Sequence, residues 1–210
     1  MTKSTQAIAT AGSARSRLTL DVCVAIAACH VDGNTPTDVH EQAVHETKCC
    51  LEVLDIVFGN PLIGVAMSDR LIKEWVKQVF DAQEQDPKRV HAAEWFTDMD
   101  TSDRINHLGD VCYPFLVQSP SRIRHDRGLI ESALQADKMV VSIDEDIREE
   151  LVAYVSAGHG NGIGDLCWAN PDVRTDHTCK WLASGLPVVQ SLLLASPPHK
   201  RARLKTRARK

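Results

Sequence analysis

No stretch of this chain approaches the roughly 18 consecutive apolar residues of a membrane-spanning helix, so no span is expected. Aromatic residues make up only 5% of the sequence. That scarcity argues against sugar hydrolysis, which needs a carbohydrate groove beside its pair of carboxyl groups. Cysteine occurs seven times, at positions 23, 29, 49, 50, 112, 167 and 179, but no CxxC pair exists and the count is odd. Neither a disulfide framework nor a zinc ribbon fits that pattern. Reduced, mostly buried thiols in a cytoplasm are expected instead. Residues 1–16 lack the apolar core of a signal peptide and read as a flexible leader. There is no internal repeat. The glycine-rich stretch GHGNGIGD places Ile163 where a dinucleotide fingerprint needs its third glycine, and it follows a helical pattern, so it reads as a connection.

What is present is enough apolar material for one core: 43% hydrophobic content in 210 residues. Charge is distributed unevenly. The last eleven residues, KRARLKTRARK, carry seven bases and no acid; taking those seven from the net charge of −4 leaves −11 for the rest. The expected organisation is a leader (1–16), one domain (17–196) with a charged, solvent-facing helical insertion at about 81–125, and a basic tail (197–210). Lys200, Arg201, Arg203, Lys205, Arg207, Arg209 and Lys210 are the candidate nucleic-acid-binding residues, through non-specific attraction for phosphate. The tail has no aromatic residue for base stacking, and folding back on the acidic body or simple solvation are its alternatives.

Short apolar runs alternate with helical periodicity. Strands are expected at RLTLDV (17–22), LIGVAM (62–67), MVVSI (139–143) and Leu166 to Ala169, with Val188 to Ala195 open between strand and helix. Helices are expected from Ala43 to Phe58, after Ser68 or Asp69, after Asp126, from Ile147 to Tyr154 and from Thr178 to Ala183. Unbroken apolar strands separated by helices predict an α/β protein: a three-layer α/β/α fold with a mostly parallel sheet of four to five short strands.

Ligands of such sheets bind beyond the carboxyl ends of the strands. Asp21 lies near the end of the first strand, Asp144 ends MVVSI, and Asp126 opens the helix between them with its side chain above Leu129, Ile130 and Ala133. Clustered carboxylates repel unless a positive charge sits among them. Helix capping is the simple explanation for each. The alternative is a hard, oxygen-preferring cation, Mg²⁺ or Mn²⁺. A haloacid-dehalogenase phosphatase would need DxD on the first strand, where this chain has DVC. His40 and His45 are five apart, too far to share one helical face, and His125 sits beside Asp126 as a possible phosphate contact or a surface residue.

The strand LTLD, a helix with EW, the DxxLIxxAL helix and VVSID, in that order, resemble the PIN-domain superfamily of metal-dependent ribonucleases, which includes bacterial toxins of toxin–antitoxin modules. The resemblance spans most of residues 17–172. It implies catalytic acids at Asp21, Glu74, Asp126 and Asp144, metal ligands at Asp21, Asp126 and Asp144 supported by Asp146, and Ser142 behind them as an orienting hydroxyl. It also implies RNA as substrate, an antitoxin and a homodimer as partners. The chain departs from the family at Cys23, where Asn is frequent, and in the length of 81–125. By helical angle Glu74 falls nearly opposite Leu71 and Trp75, so a solvated glutamate is its alternative reading. The expected function is a Mg²⁺- or Mn²⁺-dependent endoribonuclease; the alternative is a non-catalytic module of the same fold that binds RNA or protein.

Overall fold

A computed structural model describes residues 15–29, 37–83, 85–160 and 162–195. Nearly all of the leader and the whole basic tail, with its seven candidate phosphate-binding residues, lie outside that set. The described chain is a three-layer α/β/α protein built on one five-stranded sheet. The strands are β1 (Ser16–Leu20), β2 (Ile63–Ser68), β3 (Ile105–Leu108), β4 (Met139–Val141) and β5 (Cys167–Ala169). Every pairing is parallel, in the order β3-β2-β1-β4-β5. β2, β4 and β5 are buried along their whole length, as strands covered on both faces must be.

The helices are α1 (Val22–Ala27), α2 (Thr37–Gly59), α3 (Asp69–Trp75), α4 (Val90–Thr101), α5 (Pro114–Val117), α6 (Ser121–His125), α7 (Arg127–Gln135), α8 (Glu145–Ser156) and α9 (Pro171–Ala183). α3 continues as a single π-helical turn, Val76–Phe80. α2 packs on β2 and against α1, α4 and α9, whereas α7 packs on β1 and β2 and against α3. Among the described residues no helix is long and apolar enough to cross a membrane.

The segment 81–125 departs from expectation. It is no solvent-facing excursion: α4 buries Ala92, Ala93, Phe96 and Met99, β3 extends the sheet, and Leu116 and Ile123 are fully buried. Trp75 stacks on Trp95 with ring centroids 6.0 Å apart and meets Phe96 at 5.4 Å. The open question at 188–195 also has an answer. The segment forms a 3-10 turn, Gln190–Leu192, then one antiparallel bridge from Leu193 to Cys167 on the outer edge of β5.

Arg104, just ahead of β3 and only 7% exposed, holds that edge in place. Its guanidinium donates to the carbonyl oxygens of Phe58 (2.5 Å), Asn60 (2.6 Å), Ile63 (2.7 and 3.1 Å) and Val57. The last carbonyls of α2 have no partner within the helix, and the arginine fork supplies one. Removing it in Arg104→Ala leaves several buried acceptors unpaired. The expected cost is about 3 kcal/mol, or a fall in Tm of about 6–12 °C for a chain of this length, measurable by calorimetry.

Candidate functional site

The chain leaves β1 in one direction, to β2 and β3, and later returns to β1's other side as β4. This reversal creates a crevice at the carboxyl ends of β1 and β4, the usual ligand position in open parallel sheets. Asp21 follows β1, and Ser142 to Asp144 follow β4.

One hydroxyl organises this crevice. Ser142 Oγ donates to Asp21 Oδ2 at 2.6 Å and accepts the backbone N–H of Asp144 at 3.0 Å. Asp21 and Asp144 also cap helices: Asp21 Oδ1 accepts the Cys23 N–H (3.2 Å) at the start of α1, and Asp144 Oδ1 accepts the Ile147 N–H (2.9 Å) at the start of α8. The capping reading is therefore correct for both, and each keeps acceptor capacity beyond it.

Asp126 behaves differently. It occupies the N-cap position of α7 but makes no side-chain capping hydrogen bond. The reason is local: Asp126 also ends α6, and its backbone (φ −90°, ψ 24°) is not in the extended conformation that a capping side chain needs. Its carboxylate instead lies among other acids. Burial pushes it up to about 6, the charges of Asp21 and Asp144 add to the rise, and His125 and Arg122 oppose it. Glu74 is pushed up to about 7, by burial first and then by Asp21 and Asp126, with His125 and a hydrogen bond from Gln78 (2.9 Å) pulling it back. Burial raises Asp21 too, and Asp144 adds to that, against the hydrogen bonds from Ser142 and Cys23. Glu74 is therefore half-buried and turned toward the crevice, not a solvated residue on the far side of α3.

Gly128 sets the spacing of the two helices that carry Asp126 and Glu74. A Cβ there would lie 3.1 Å from the Leu71 nitrogen and 3.3 Å from its Cα, so α7 approaches α3 as closely as a glycine allows. Ser132 fixes the same contact, accepting the Ser68 N–H at 2.8 Å and donating to the Gly128 carbonyl at 2.7 Å. Glu131, fully buried on α7, is paired with Arg127 (2.5 Å) and Arg70 (3.3 Å). Sequence reasoning missed these three residues. The available signal was a polar Glu-Ser pair beside the apolar positions of LIESAL.

Asp146 does not join the group. Two residues along a helix rotate the side chain by about 200°, so Asp146 faces away from Asp144. It is 71% exposed and lies 3.2 Å from Arg122 Nη1. Cys23 contacts Ser142 Oγ at 3.7 Å, and burial followed by the Asp21 charge pushes its thiol well up, which suits packing better than attack. The structure thus brings together Asp21, Glu74, Asp126, Asp144 and Ser142, with Asp146 outside. Their donors are all oxygen, the chemistry of a hard divalent cation. Among the described residues, however, no three His, Cys, Asp or Glu side chains are arranged to hold one ion together. The acids form a neighbourhood of charge, not a finished coordination sphere. No protein-family model, curated protein or solved structure matches this chain.

The raised values have a thermodynamic consequence. A carboxyl group whose pKa is higher in the folded state supports folding while protonated and loses that support as pH rises through the folded value. For Glu74 the window runs from its ordinary 4.5 to about 7. Glu74→Gln should therefore match the wild-type Tm near pH 4, below that window, and exceed it near pH 8, as read by differential scanning fluorimetry. Asp126→Asn should show the same trend over a lower window, from 3.8 to about 6. A Tm difference independent of pH would contradict the mutual repulsion.

Proposed function

We propose that this protein is a divalent-cation-dependent endoribonuclease of PIN-like type. The observation that carries this reading is the meeting of Asp21, Glu74, Asp126 and Asp144 at the switch point of the sheet, where burial and like charge hold three of them above the ordinary carboxylate range. Proteins accept such repulsion at sites that bind something positive. Asp21, Asp126 and Asp144 are the residues that would hold Mg²⁺ or Mn²⁺, with Glu74 beside them. A cation so bound neutralises charge on a phosphoryl group and lowers the pKa of an attacking water.

The chain's own groups divide the remaining work. Ser142 fixes the rotamer of Asp21 through its 2.6 Å bond and ties it to the start of α8. Glu74, beside the other acids, is the group that would take a proton from the attacking water. Phosphoryl transfer through an attacking water requires no side-chain nucleophile, so the inert Cys23 is no obstacle.

A second reading is a binding module with the same scaffold and no turnover. It is favoured by the absence, among the described residues, of three donors converging on one point, and by the thiol of Cys23 at the crevice wall. Incubation of purified wild type with RNA in Mg²⁺, Mn²⁺ or EDTA separates the two. Expected are cleavage only with metal, its loss by at least about 100-fold in Asp21→Asn and Asp144→Asn, and a fall of about 10–100-fold in Ser142→Ala. Equal cleavage by wild type and all three variants would end the proposal; binding without cleavage would support the module.

A further inference from the structure

A phosphodiester drawn toward four carboxyl groups meets repulsion before it meets any compensating charge, so fixed positive groups are needed at the lip of the crevice. α6 is the element that stands there. It ends directly in Asp126, and its sequence SRIRH places Arg122, Arg124 and His125 around a single buried residue, Ile123. Ile123 is fully buried where α6 packs against α7 and α8. Anchoring through that one side chain turns its basic neighbours outward, and all three are exposed.

Arg122 and His125 stand close enough for their charges to act on Asp126, and His125 also acts on Glu74. Arg122 Nη1 lies 3.2 Å from Asp146, with side-chain exposures of 51% and 71%. An ion pair that open is worth little, so a phosphate can displace the carboxylate at small cost. Arg124 forms no ion pair with any described residue. The planar guanidinium fork matches two phosphate oxygens at once, and a lysine does not reproduce it.

We propose that α6 is the backbone grip of this site: RNA crosses its exposed face, and Arg122 and Arg124, which project to opposite sides of that face, hold successive phosphates of the strand that leads to the acids. This rests on the ribonuclease reading for its purpose but has a test of its own. Asp146 then has a role different from the one the sequence implied, keeping Arg122 extended along the lip until RNA replaces it.

The experiment uses full-length protein and a fluorescein-labelled single-stranded RNA, read by anisotropy in EDTA so that no strand is cut. The Arg122→Ala/Arg124→Ala double variant should bind about tenfold more weakly at low salt. Its slope of log K against log salt should be shallower by about 1.4, two phosphate contacts' worth on a single strand. Arg122→Lys/Arg124→Lys should regain the slope but only part of the affinity. With metal present, the double alanine variant should raise the KM for RNA by more than it lowers kcat, and Mn²⁺ affinity, followed by electron paramagnetic resonance, should not fall, because the Arg122 charge that acts on Asp126 opposes a cation there. A double variant that matches wild type in slope and affinity overturns the grip, and cleavage by the wild type in that case leaves the ribonuclease reading standing. A wild type that binds with the expected slope yet never cleaves RNA in Mg²⁺ or Mn²⁺ overturns the ribonuclease reading and leaves the grip. A wild type that neither binds nor cuts RNA overturns both.

Discussion

The hydrogen bond from Ser142 to Asp21, 2.6 Å long, joins two parts of the chain that are 121 residues apart in sequence. It closes the crevice between β1 and β4 at the point where strand pairing ends. The same hydroxyl receives the Asp144 N–H, so one oxygen sets the exit direction of β4 relative to the first acid of the site. A short bond from a neutral hydroxyl to a carboxylate is among the stronger that a protein makes. It is also the counterweight that limits how far burial lifts Asp21. Without it the two strand ends would carry neighbouring acids with no shared partner.

Around that bond the structure accepts conflict. Glu74 and Asp126 are each half-buried among like charges, which is unfavourable for a domain whose only task is to stay folded. The surrounding packing enforces the arrangement: Gly128 lets α7 press on Leu71, Ser132 locks the contact, and buried Glu131 is neutralised by two arginines. The contrast on one helix is instructive. Glu131 has its countercharges built in, whereas Asp126, one turn earlier, has only flanking His125 and Arg122 on a neighbouring element. The surround is itself incompletely satisfied, since the buried Glu131 Oε2 and Trp75 Nε1 lack a hydrogen-bond partner.

The α/β character and four of the strands were legible because fully covered parallel strands read as unbroken apolar runs. β3 was not, since INHL is short, polar at alternate positions and lies on an edge. α4 fell within the expected helical insertion, around Val90 to Phe96, but its charges hid its burial, although Ala92, Ala93, Phe96 and Met99 do recur at helical spacing. At the site, Asp21 and Asp144 were legible because each ends an apolar run. Glu74 was misleading for a geometric reason. A helical wheel separates core from solvent, but α3 has a third side, facing the end of the sheet, and no pattern of apolar residues marks it. Asp126 could not be separated from an ordinary cap until its backbone proved not to be extended and its side chain made no capping bond. Asp146 failed because spacing in a strand and spacing in a helix send the second residue in opposite directions.

The two flanks of the sheet are treated differently. Beyond β5 the chain folds back through the Leu193 bridge, with Leu194 and Ala195 donating to the carbonyls of Leu166 and Gly164 at 3.0 Å each. That flank has its pairing capacity occupied by the molecule itself. Among the described residues nothing pairs with the far side of β3. A particle with a single unpaired margin can extend its sheet only once, margin to margin with a twin, and the union then has no free margin left. Among the described residues, lateral growth past β5 is thereby obstructed by residues 187–195, a stretch that contributes nothing to the crevice.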